Sequence, residues 1–67
     1  MKFTERFNEL LKNCGKTQVE IAKNINVQKQ CITDYKKGKS FPSLETLYAI
    51  CAFLDVSADY LLGLTDY

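Results

Sequence analysis

A chain of 67 residues, 46% of them hydrophobic, can bury one small core, and the expected organisation is a single domain over residues 1–67. Its net charge of +1 names no partner, and three cysteines (Cys14, Cys31, Cys51) without any histidine suit neither a disulfide framework nor a zinc site, which points to a reducing cytosol. No apolar run approaches the ~20 residues that cross a membrane, and Met1-Lys2-Phe3-Thr4-Glu5-Arg6 lacks the apolar stretch of a signal peptide.

Apolar residues recur at Phe3, Phe7, Leu10, Leu11 and Cys14, the stripe of an amphipathic helix, and Gly15 ends it. Thr17-Gln18-Val19-Glu20 reads as a capping box, threonine at the cap and glutamate three residues on. A short second helix should follow over residues 18–25, with Ile21, Ala22 and Ile25 inward and Asn26 as a left-handed stop. Val27 should plug the core at the turn. The pattern predicts a third helix over residues 28–37, closed by Gly38, with Ile32 and Tyr35 inward. The helical step then places Gln30, Thr33, Asp34 and Lys37 on the opposite face, which is wholly polar.

Lys39-Ser40-Phe41-Pro42 reads as a loop. Ser43 should cap a fourth helix whose stripe is Leu44, Leu47, Ile50, Cys51 and Leu54. Asp55-Val56 makes a turn, Ser57 caps a last helix carrying Tyr60, Leu61 and Leu62, and Gly63 ends it. No strand, repeat or linker is needed. Phe3, Phe7, Tyr35 and Tyr60 are expected in the core, and the cysteines are read as small buried hydrophobes.

Charge is unevenly spread. Residues 16–39 hold six lysines against Glu20 and Asp34, a net of +4, whereas residues 40–67 hold four acids and no base, a net of −4. The middle of the chain suits a polyanion and its last third does not.

Thr17-Gln18-x-x-Ile21-Ala22-x-x-Ile25-Asn26-Val27, then Ile32-Thr33-x-Tyr35-x-x-Gly38, Pro42-Ser43-Leu44-Glu45-Thr46-Leu47 and Val56-Ser57-x-Asp59-Tyr60-Leu61-Leu62-Gly63 together resemble the Cro/C1-type (Xre-like) helix-turn-helix family. The resemblance runs from about Phe3 to Asp66. It implies an all-α, five-helix, lambda-repressor-like DNA-binding domain whose second and third helices form the helix-turn-helix. It also implies a small bacterial or phage-encoded transcriptional regulator, a repressor by expectation, working in the cytoplasm as a homodimer on a near-palindromic double-stranded operator.

Carried over by position, the base-contacting set is Lys29, Gln30 and Asp34, with Gln28 and Thr33 beside them. The chemistry fits: glutamine pairs with adenine, lysine donates to guanine and aspartate accepts from cytosine. Gln18 takes the family's phosphate-contacting position at the start of the second helix, where the dipole favours an anion. Lys37, Lys39 and Ser40 should grip the backbone after the recognition helix, and Lys16 and Thr17 before the second helix. Surplus apolar residues at Phe53, Leu64 and Tyr67 are assigned to a dimer interface.

The sequence also departs from the family. Lys16 replaces an apolar residue that would staple onto Ile21, Gln28 replaces a serine or threonine cap, and Asn26 replaces a common glycine. Many relatives pair an arginine in the first helix with a glutamate late in the third. Leu11 and Lys36 stand at those positions, so both partners are gone together.

No metal, cofactor, small-molecule ligand or enzymatic site is implied: there is no histidine, ligand cluster or glycine-rich phosphate loop. The rival reading is a protein-interaction module on the same fold, an antitoxin-like or anti-repression factor. The polar outer face of the third helix favours DNA over it.

Overall fold

Five helices succeed one another in the computed structural model, which describes residues 1–66: α1 (Phe3–Asn13), α2 (Gln18–Asn24), α3 (Lys29–Lys37), α4 (Leu44–Leu54) and α5 (Ala58–Leu62). No strand is present among the described residues, and none of the helices is long and apolar enough to cross a membrane.

Local chemistry sets the helix ends. The Thr17 hydroxyl accepts from the Glu20 N–H at 3.2 Å while the Glu20 carboxylate accepts from the Thr17 N–H at 3.2 Å, which completes the capping box. Ser43 and Ser57 accept from the N–H groups of Thr46 and Tyr60 in the same way. Gln28 holds the cap position of α3 with no side-chain hydrogen bond, as the missing serine or threonine implied. Asn26, at φ 58°, makes the left-handed turn between α2 and α3. Gly38, at φ 74°, closes α3, and the Lys39 N–H donates to the Asp34 carbonyl at 2.9 Å.

The core is one cluster: Phe3 and Phe7 of α1, Ile21, Ala22 and Ile25 around α2, Ile32 and Tyr35 of α3, Ile50 of α4 and Leu61 of α5. Phe3 and Phe7 stack at 5.1 Å, and Tyr35 meets both rings edge-on. Val27 packs against this cluster at the turn. The inward face of α3 is therefore clamped between α1 and α2, which fixes the direction of its outward face.

Three core expectations need correction. Leu44 is 83% exposed at the first position of α4, which meets the core from Leu47 onward, with Ile50 alone fully buried. Tyr60 is only half-buried; its ring lies under the Arg6 guanidinium, 4.3 Å from the centroid, as a cation–π contact. The three cysteines are free and half-buried, at the margin of the core. Burial pushes the Cys51 thiol up from its ordinary pKa, which keeps it protonated.

Arg6 is also the clasp that the sequence pattern missed. It donates to the carbonyls of Tyr60 and Thr65 and lies 3.6 Å from the Asp66 carboxylate, the single ion pair among the described residues. It ties α1 to α5 and the residues after it, and the Lys2 N–H donates to the carbonyl of Leu62 at the end of α5 at 3.3 Å.

Candidate nucleic-acid interface

The candidate site is the solvent face of α3 and its surroundings. Gln28, Lys29 and Gln30 are exposed at the start of the helix, and Thr33 and Asp34 lie half-exposed one turn on. Gln30 and Asp34 sit four residues apart on one face, and the Gln30 amide donates to the Asp34 carboxylate at 3.0 Å. That bond orients the glutamine. It leaves the amide with one free N–H and a free carbonyl, the complement of an adenine edge.

Lys37, Lys39 and Ser40 are exposed at and beyond the far end of α3, and Lys16 and Thr17 are exposed before α2. Gln18 is placed differently from an isolated gripping side chain. Its Nε2 donates to the Thr33 hydroxyl at 2.6 Å and to the Lys29 carbonyl at 3.3 Å, and the residue is half-buried. It is a strut between α2 and α3. Both amide hydrogens are thus engaged by the protein itself, and the first N–H groups of α2 have no partner within the helix.

The structure adds two residues to this neighbourhood. The Asn8 amide donates to the Lys36 carbonyl at 2.9 Å and to the Thr4 carbonyl at 2.8 Å, which anchors the end of α3 on α1. Asn8, Gln18, Thr33, Lys36 and Lys37 line a shallow depression of about 260 Å³ on the flank of α3. Asn8 lies off the apolar stripe of α1, so the helical periodicity gave no hint of a role.

Of the interface residues assigned to dimerisation, Leu64 is 75% exposed and Phe53 is half-buried against the core; Tyr67 lies outside the described residues. Exposed apolar side chains also occur at Met1, Val19, Phe41, Leu44 and Tyr48. Among the described residues no group of histidines, cysteines and carboxylates could hold a metal ion.

The fold and this face define a helix-turn-helix protein. The family model for that motif matches residues 8–61, and the chain belongs to the Cro/C1-type helix-turn-helix family, with its lambda-repressor-like helical fold. It is 32% identical over 63 residues to the transcriptional activator BcrR of Enterococcus faecalis, covering 94% of this chain and 31% of that protein. It is 32% identical over 63 residues to the transcriptional regulator ImmR of Bacillus subtilis, covering 94% of this chain and 50% of ImmR. It is 33% identical over 63 residues to the CTXphi transcriptional repressor RstR of Vibrio cholerae, covering 94% of this chain and 56% of RstR. The chain thus spans between about a third and just over half of the length of these curated relatives. No solved structure gives a significant match.

Proposed function

We propose that this chain is a sequence-specific reader of double-stranded DNA that represses transcription, with α3 lying in the major groove. The observation that carries the reading is the two-sided character of α3. Ile32 and Tyr35 lock one side into the core, while Gln28, Lys29, Gln30, Thr33 and Asp34 present only polar groups on the other. These five residues read base edges in this account. Lys16, Thr17, Lys37, Lys39 and Ser40 hold phosphates, and Gln18 does so through its main-chain N–H at the start of α2, since its side-chain amide braces α3. Phosphate contacts position the protein and base contacts specify sequence.

One module of this size reads only a few base pairs. Two copies on a near-palindromic operator, with half-sites about 34 Å apart, supply the remaining specificity. Leu64 supports a two-fold contact through the end of the chain, with Phe53 and Tyr67 assigned beside it. The relatives include both an activator and a repressor. Repression is the simpler expectation, because occupancy of the operator is enough for it. The bacterial and phage relatives support action in a bacterial cytoplasm. The protein-interaction reading draws on the exposed Phe41, Leu44 and Tyr48; co-purification of a partner without any DNA retention would favour it.

The test is selection of bound duplexes from a random pool, followed by competition binding at one salt concentration. Gln30→Ala should cost ~1–3 kcal/mol on the selected operator and almost nothing on unrelated DNA. Equal losses on both would remove α3 from the groove.

A further inference from the structure

A second depression, of about 370 Å³, opens between α1 and the α2–α3 pair. Lys12, Lys16 and Lys36 stand around it, and Leu11 and Ile21 form its apolar floor. No carboxylate lines it, and the one ion pair among the described residues is the distant Arg6–Asp66 contact. Asn8, Gln18 and Lys36 line both this depression and the one beside Thr33 and Lys37, so the two adjoin and together form a groove-like track. The groove begins at the flank of the recognition helix and ends on α1.

We propose that the sugar–phosphate backbone of bound DNA follows this groove beyond the helix-turn-helix, with Lys12 and Lys36 taking phosphates that no residue of the reading face can reach. The proposal rests on the DNA reading above and extends it to α1. None of the three lysines forms a salt bridge among the described residues, Lys16 interacting only at longer range with Glu20, so they repel one another, and a polyanion relieves that repulsion while releasing its own counterions. The apolar floor lets the lysine stems lie down with their ammonium groups at the rim. The Asn8 bond to the Lys36 carbonyl fixes the backbone from which Lys36 projects. Leu11 contributes no charge, so no arginine or glutamate competes for the seat. Continuity with Thr33 and Gln18 is what favours DNA over an acidic protein segment.

The experiment measures binding of the full chain to its selected duplex, by fluorescence anisotropy, over a range of salt concentrations. Lys12→Ala and Lys36→Ala should each reduce the slope of log K against log[salt] by about 0.9 and weaken operator and unrelated DNA by equal factors. Lys23→Ala is the control, since Lys23 is exposed on α2 and lines neither depression. Its slope should match the unaltered chain, and thermal melts confirm that all three variants fold. If Lys12→Ala and Lys36→Ala change the slope no more than Lys23→Ala, the groove carries no phosphate and the proposal falls while the DNA reading stands. If the unaltered chain binds no duplex, both fall. Tighter binding of a polyglutamate peptide than of duplex, lost in the same two variants, would overturn it in favour of an acidic protein partner.

Discussion

α3 turns Ile32 and Tyr35 into the core and shows solvent a polar face, while α4, with nine apolar residues among eleven, fully buries Ile50 alone and exposes Leu44 and Tyr48. The difference lies in the neighbours. α3 is packed by α1 on one side and α2 on the other, whereas α4 has α5 as its main helical neighbour. A helix in two-sided packing must be polar wherever it is not clamped. A helix with one partner carries more apolar surface than the fold can cover. The polar helix thus buries two side chains against one from α4, and the proposed reading face is presented by a helix held on both sides.

The largest effects should come from setting these helices against each other. Ile32→Ala removes a fully buried side chain from the clamped face and should cost about 2–5 kcal/mol. Domains of this size have roughly 3–10 kcal/mol in total, so the variant should be largely destabilised. Leu44→Ala, which removes a side chain of similar size from a site 83% exposed, should stay within about 0.5 kcal/mol. Urea melts of the pair give the comparison directly, and similar losses would show that α4 is as deeply engaged as α3.

Next in size is the clasp that holds the end of the chain on α1. Arg6→Ala removes two hydrogen bonds from a charged donor and the contact with Tyr60, and should cost about 2 kcal/mol. Asp66→Ala should cost nearly nothing, since that carboxylate is 95% exposed and the pair is screened. Equal losses from both variants would move the weight of the clasp from the carbonyls to the ion pair.

The smallest effect sharpens the account of the site-bearing half. Hydrogen bonds from the Thr17 N–H and hydroxyl hold the Glu20 carboxyl below its ordinary pKa of 4.5, with a lesser contribution from Lys16. A carboxyl whose folded pKa is depressed stabilises the fold above its unfolded pKa. That contribution fades as pH falls through the lower folded value. Melting temperature should therefore drop slightly more for the parent chain than for Glu20→Gln on acidification below 4.5. Parallel profiles from neutral pH to pH ~3 would mean that the capping carboxylate contributes nothing that protonation can remove.

Much of this was legible beforehand wherever both halves of an interaction lie within a turn of each other. Thr17 and Glu20 are three residues apart, and Ser43 and Ser57 cap with the same short reach, so their sequence pattern was enough to place α2, α4 and α5. The spacing of Ile32 and Tyr35 likewise determined which side of α3 turns inward, and with it the polar face left to solvent.

Periodicity states that a residue lies on an apolar stripe, but not whether another helix lies opposite. That is why Leu44 was expected inside and stands outside. Gln18 reaches Thr33 across 15 residues, Asn8 reaches the Lys36 carbonyl across 28, and Arg6 reaches Tyr60 and Thr65 across 54 and 59. A polar side chain announces in the sequence that it needs partners, never which ones. Helix ends and inward faces are short-range consequences of backbone hydrogen bonding and helical pitch, so the sequence by itself determined them. The strut, the clasp and the lysine-rimmed groove depend on how α1 crosses the α2–α3 pair, and only the tertiary packing decided them.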